Sequence, residues 1–262
     1  MLNHQVKGKG AKQIIYVHGN SQSLELWNDI IDSEYLQSEF SLITVDLPGH
    51  GKSFKSNQPE KDYCVPGMTG YLKEFILQYS NREYMVVANS AGTNLIGEMA
   101  HLLINCKGIF LTGANIIGEN ITVTDILQPN PDLTPFFTAN PADEDIYKMI
   151  DEGSYNMPGS TKIKYKEIFR ETDPTFREQW FASISRQEWT DEIKNLNTLA
   201  VPVAIVYGEE DRFTHIHYLD KSDLKKWKNK IIIVPKAGHL MQYDQPKVVA
   251  QLIKEFADDC FK

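Results

Sequence analysis

The sequence predicts an α/β fold: a mostly parallel sheet covered on both faces by helices. Three observations carry that prediction. Short apolar runs alternate with amphipathic ones along most of the chain, as β-α-β units require. The run Met85 to Ala88 passes through the small-residue turn Asn89-Ser90-Ala91-Gly92 into a helical pattern. Two later apolar runs end in loops rich in acids or carrying a histidine. Reactive residues therefore gather at strand ends, where open α/β sheets bind ligands.

In chain order, residues 13–17 form a first apolar strand ending in His18-Gly19-Asn20. Residues 24–31 read as a helix, and 41–47 as a strand closed by Pro48-Gly49-His50-Gly51. Apolar positions at three- and four-residue spacing predict a helix over 68–79. After the strand leading to Ser90, a helix runs to about Asn105 and a strand spans 108–111. Strands at 202–207 and 231–234 and a closing helix at 248–256 complete the pattern. Such continuous apolar strands suit a sheet buried on both faces.

Residues 118–200 break this rhythm with Pro129, Pro131, Pro135, Pro141 and Pro158 and little strand character. Aromatics gather there, among them Phe136, Phe137, Tyr147, Tyr165, Trp180 and Trp189. The segment is expected to be a helical cap over the strand ends, most of its aromatics forming its own core. The predicted organisation is a core in two parts, 1–117 and 201–262, with a cap at 118–200.

Composition narrows the function classes. With 262 residues and 42% hydrophobic content, the chain is long enough for one large α/β domain with an insertion, or for two small domains, around a packed core. A net charge of -8 and no basic run disfavour nucleic acid. Cys64, Cys106 and Cys260 are widely spaced and odd in number, which fits a reducing compartment and no disulfide framework. No apolar stretch could span a bilayer and the N-terminus lacks a leader pattern, so a cytoplasmic protein without membrane contact is expected. With nucleic acid and membrane disfavoured, the expected partner is a small molecule.

The turn around Ser90 reads as a nucleophile elbow, with Ala88 at the first glycine of Gly-x-Ser-x-Gly. A serine nucleophile needs a base, and the base needs a carboxylate that holds its tautomer. The order Ser…Asp…His supplies both. Asp211 is the expected acid over Glu209 and Glu210, because the chain first turns outward at Gly208. His239 is the expected base, in a tight loop after Gly238. His18 and His50 lie in turns read as structural. Backbone N–H groups of Asn20 and Ala91 are expected to hold an oxyanion. A phosphate loop at His18-Gly19-Asn20 lacks the following Gly-Lys-Ser. No cofactor is implied.

These segments, with Asp46-Leu47-Pro48-Gly49-His50-Gly51-Lys52-Ser53, resemble the α/β-hydrolase superfamily over essentially the full chain. Within it the chain is similar to the serine-dependent N-acyl-homoserine lactone lactonases. That likeness rests on His18-Gly19-Asn20-Ser21, Leu111-Thr112-Gly113, the acid loop ending in Phe213, and Gly238-His239. The resemblance implies a metal-independent serine hydrolase of the ester or lactone class that opens the lactone ring through an acyl-enzyme. It further implies that Tyr147 points at the substrate and that the Asp46 to Ser53 loop is structural. Only seventeen residues precede His18, so at most one short strand near His4 to Lys7 fits, giving six or seven strands.

Three alternatives stay open: a general carboxylesterase, a carbon–carbon hydrolase of ring-cleavage products, and a ligand receptor that kept the triad. The second predicts a cap arginine for a substrate carboxylate, with Arg170, Arg177 and Arg186 as candidates. His215-Ile216-His217 followed by Asp220 departs from the His-x-His-x-Asp-His pattern of metal-dependent lactonases, so no metal site is expected.

Overall fold

A computed structural model describes residues 1–262. Seven strands form one sheet: β1 (His4–Lys7), β2 (Lys12–Val17), β3 (Phe40–Val45), β4 (Tyr84–Asn89), β5 (Cys106–Thr112), β6 (Val203–Gly208) and β7 (Ile232–Val234). Their order is β1-β3-β2-β4-β5-β6-β7. All pairs are parallel except β1 with β3, where His4 faces Val45 and Lys7 faces Leu42. The expected mostly parallel sheet is present, including the single short strand before β2.

Alternate residues of each central strand enter different cores, as the period of two requires. Ile15, Val17, Val86, Ala88, Ile109 and Leu111 join the larger core. There they meet α4 (Val65–Leu77), which follows the short α3 (Pro59–Asp62), and α5 (Ala91–Met99). Ile14, Tyr16, Met85, Val87 and Phe110 join the second core on the opposite face. It is closed by α1 (Asn28–Ile31), α2 (Glu34–Glu39), the short α11 (Met241–Asp244) and the C-terminal α12 (Pro246–Cys260). Burial on both faces explains why the strands read as unbroken apolar runs.

The predicted helix 24–31 is a 3₁₀ turn, Leu24–Trp27, running into α1. The helix predicted over 68–79 starts earlier, at Val65: Pro66 stands in its first turn and the Cys64 sulfur accepts from Gly67 N–H at 3.4 Å. Between β5 and β6 the chain forms α6 (Val123–Ile126), a 3₁₀ segment Pro131–Phe137, α7 (Asp143–Gly153), α8 (Gly159–Glu171), α9 (Pro174–Ser185) and α10 (Glu192–Asn197). A third core, including Ile146, Tyr165 and Phe169, joins α7 and α8 to Phe213 and Leu240 of the strand-end loops. No helix is long and apolar enough to cross a membrane.

The order reverses between β2 and β4, so a crevice opens at their carboxyl ends. Asn20 follows β2 and Ser90 follows β4, one on each side of it.

Candidate active site

Ser90 lies between β4 and α5 with φ 50° and ψ −125°, a conformation L-residues rarely adopt. The surroundings hold it there. Ser90 N–H donates to Thr112 O at 3.0 Å, and Thr93 donates to Ser90 O through Oγ1 at 2.6 Å and N–H at 2.7 Å. Glycine is required at position 92, where a Cβ would stand 2.5 Å from His18 O. Ala88 instead packs its methyl wholly inside the larger core. The pattern therefore tolerates alanine at its first small position.

Asp211 and His239, the expected acid and base, meet at the ends of β6 and β7. A Cβ on Gly208 would stand 2.2 Å from Ala237 O, so the two loops touch backbone to backbone. Asp211 is buried and accepts three hydrogen bonds. Phe213 N–H and Thr214 N–H donate to Oδ1 at 2.9 and 3.0 Å, and His239 Nδ1 approaches Oδ2 at 2.8 Å. Glu209 and Glu210 are exposed. With Nδ1–H donated to Asp211, Nε2 of His239 is left as an acceptor. The imidazole packs against Gly113, where a Cβ would lie 2.8 Å from its Cε1, and against the Phe213 ring at 5.1 Å between centroids.

Ser90 and His239 face one cleft without a direct hydrogen bond. The partner of Ser90 Oγ is Asn115 Nδ2, at 3.4 Å. Nucleophile–base contacts often tighten only when substrate is bound.

Asn20 and Ala91 are brought together by Gly19, whose Cβ would stand 2.8 Å from the Ser90 Cβ. The backbone N–H groups of Asn20 and Ala91 donate to no protein acceptor, which leaves both for a ligand oxygen. The Asn20 side chain is tied down, with Nδ2 donating to Phe136 O at 2.9 Å and Oδ1 accepting from Ser21 Oγ at 2.8 Å.

The two buried turn histidines buttress this loop. Leu47 N–H donates to His18 Nε2 at 3.0 Å, and Ser21 N–H to His50 Nε2 at 3.1 Å. Each Nδ1–H is thereby directed to a carbonyl, Gly19 O at 2.8 Å and Pro48 O at 2.9 Å. Burial lowers the pKa of both rings, and the neighbouring imidazole lowers His50 further, so both stay neutral acceptors. Asp46 anchors the loop by accepting from Leu24 N–H at 2.8 Å, Lys52 N–H at 2.9 Å and Asn3 Nδ2 at 2.7 Å. Buried Arg177 reaches Ser21 Oγ at 3.2 Å and donates to the carbonyls of Thr138, Ala139 and Phe169.

The cleft encloses about 780 Å³ including its mouth, and 13 of its 19 lining residues are hydrophobic. Phe136, Phe137, Trp180 and Trp189 line it, whereas Tyr165, Phe169 and Phe176 are buried in packing. Tyr147 does not reach the cleft: it packs beside the third core, with Lys166 Nζ 5.4 Å from its ring centroid. Register on α7 sends Ile146, Met149 and Ile150 inward and turns Tyr147 aside. No arginine lines the cleft. Arg170 pairs with Asp143, Arg186 with Glu188, and Arg177 is spent on carbonyls.

Sequence reasoning missed three polar lining residues: Asn94, Asn115 and Glu192. Glu192 is fully buried and accepts from Ile117 N–H at 2.8 Å and Asn94 Nδ2 at 3.1 Å. Burial pushes its carboxyl well above the usual carboxylate range. The signal available for Asn115 was its place just past β5, beside the strand that leads to Ser90. Glu192 had none, being one acid among many in a helical stretch. His217 meets only Asp220, at 3.0 Å and exposed, and no group of three or more His, Cys, Asp or Glu is placed to hold a metal.

Residues 14–252 match the model of the alpha/beta hydrolase family. Among solved structures, a mutant of the N-acyl homoserine lactonase AidH complexed with N-hexanoyl homoserine lactone has a TM-score of 0.88 at 21% identity. That match covers 99% of this chain and 94% of the other. A thermophilic esterase from Thermogutta terrifontis gives 0.76 at 18% identity, over 100% and 94%. In sequence, 26% identity over 94 residues links the chain to the dihydrolipoyllysine-residue acetyltransferase component of the acetoin cleaving system of Cupriavidus necator. The match spans 36% of this chain and 24% of that protein. At these identities the structural likenesses speak for the fold.

Proposed function

We propose that this chain, which belongs to the alpha/beta hydrolase family, is a serine hydrolase of neutral carboxylic esters or lactones, with N-acyl homoserine lactones as its substrates. The observation that carries the reading is the convergence of Ser90, two unpaired N–H groups and the Asp211–His239 pair on an apolar cleft. The likeness to a lactonase complexed with N-hexanoyl homoserine lactone supports the substrate class. Residues 118–200 act as a cap whose aromatics offer a path for an acyl chain. The absence of a cation from the lining favours this reading over an anionic dienoate substrate.

In the reaction, Ser90 Oγ attacks the lactone carbonyl and its proton passes to His239 Nε2. The N–H groups of Asn20 and Ala91 hold the oxyanion. As the carbonyl–oxygen bond of the ring breaks, protonated His239 gives the proton to the departing oxygen, leaving an acyl-serine. Water, deprotonated by His239, attacks the acyl-serine, and Ser90 leaves with the proton. The test is a panel of N-acyl homoserine lactones and p-nitrophenyl esters, with ring-opened product followed by mass. Turnover of lactones above short esters supports the full reading. Turnover of esters alone leaves a general esterase, and turnover of neither overturns it.

A further inference from the structure

Within the cleft, three polar lining groups lie outside the proposed triad and oxyanion pocket, and they are joined to one another. Asn94 Nδ2 donates to Asn115 O at 2.7 Å and to Glu192. Asn115 N–H donates to Thr93 Oγ1 at 2.9 Å. Thr93 and Asn94 are the third and fourth residues after Ser90, so the elbow helix clamps Asn115 by both backbone groups. Glu192 and Asn94 are satisfied by these contacts. The Asn115 carboxamide is not: Nδ2 has only the 3.4 Å approach to Ser90 Oγ, and Oδ1 is buried without any hydrogen-bond partner.

A buried unpaired carbonyl oxygen costs about 1–3 kcal/mol, and rigid backbone clamping keeps the group from escaping to water. The terminal torsion of an asparagine is broad, so the amide turns at little cost and offers Oδ1 to the cleft. By carboxamide dimensions Oδ1 stays within roughly 6 Å of Ser90 Oγ. An N–H or O–H on the carbon next to a carbonyl under attack by Ser90 falls in that range.

We infer that Asn115 is a specificity-determining residue whose Oδ1 accepts a hydrogen bond from a donor on the α-carbon of the scissile acyl group. The inference rests on the proposed hydrolase reading and narrows it to esters and lactones bearing an α-acylamino or α-hydroxyl group. A substrate without the donor covers Oδ1 and leaves it unpaired, and is discriminated against for that reason.

The test is the ratio of kcat/KM for an N-acyl homoserine lactone to that for its N-methyl counterpart, which keeps the ring and chain but lacks the N–H. The wild-type ratio is expected at about 10 to 100. In Asn115→Ala it is expected to fall to about 1, while Asn115→Asp, which keeps an acceptor, retains a preference for the N–H substrate. Circular dichroism checks that both variants fold. A wild-type ratio near 1, or a ratio unchanged in Asn115→Ala, overturns the role of Asn115 and leaves the hydrolase reading standing. Absence of wild-type turnover on both lactones and on p-nitrophenyl esters overturns both.

Discussion

Gly19 and Ser90 meet with no space between them: a Cβ on Gly19 would lie 2.8 Å from the Ser90 Cβ, 3.0 Å from Asn89 O and 3.0 Å from Gln22 Oε1. This contact joins the loop after β2 to the elbow after β4. It thereby sets where the N–H of Asn20 stands relative to that of Ala91. Gly19→Ala must push the two loops apart, at a cost of about 1–3 kcal/mol in stability. The expected result is a fall in kcat of roughly 10²-fold or more with KM little changed, because an oxyanion donor acts mainly in the transition state. Steady-state kinetics beside thermal unfolding checks it. Unchanged kcat would remove Asn20 from the oxyanion pocket.

Asp211 accepts from two backbone N–H groups as well as from His239, so Asp211→Asn alters the pairing while keeping the shape. An amide there can present its NH₂ to Nδ1 and favour the wrong tautomer of His239. Ester hydrolysis is expected to fall by about 10³- to 10⁴-fold with a melting temperature close to wild type. The same assay on Glu210→Gln, at an exposed position, is expected to show no comparable loss.

Buried His18 and His50 accept backbone N–H groups, and burial lowers both pKa values. A group whose folded pKa is depressed binds fewer protons folded than unfolded in the window between the two values. Stability from both histidines is therefore full above about pH 6.5 and falls as pH drops below it. Each contributes a slope of up to about 1.4 kcal/mol per pH unit there. Denaturant unfolding at a series of pH values is expected to show this, and His50→Gln to show a shallower acid slope. Parallel curves would contradict the neutral-acceptor role.

Glu192 behaves with the opposite sign. Burial raises its pKa, and nearby Glu98, also raised by burial, raises it further. The folded state then holds a proton that the unfolded state has released, so stability falls as pH rises from the ordinary carboxylate range through the raised value. Glu192→Gln mimics the protonated acid. It is expected to flatten the decline that sets in as pH rises above the ordinary carboxylate range, as unfolding midpoints would show. A variant that declines like wild type would place the titration elsewhere.

The parts legible in the sequence are those fixed by local rules. Strands buried on both faces read as apolar runs, and Ser90, Asp211 and His239 could be singled out because each follows one. The helix Glu34–Glu39 was not legible, since it buries only Leu36 and so carries almost no apolar period. The 3₁₀-to-α change at Trp27 also lacks a sequence signal. Tyr147 was misplaced because its direction depends on which face of α7 docks on the third core, a tertiary choice. Asn115 escaped notice because its surroundings come from Thr93 and Asn94 on the helix after the neighbouring strand, not from its sequence neighbours.

In the proposed reaction Ser90 carries the acyl group. Its most direct test is intact-protein mass spectrometry of a rapidly quenched reaction with a p-nitrophenyl ester, followed by peptide mapping. A transient acyl adduct on Ser90 that decays with turnover is expected. Ser90→Ala is expected to show neither the adduct nor lactone opening. Undiminished hydrolysis by Ser90→Ala, or an adduct mapped to another residue, would contradict it.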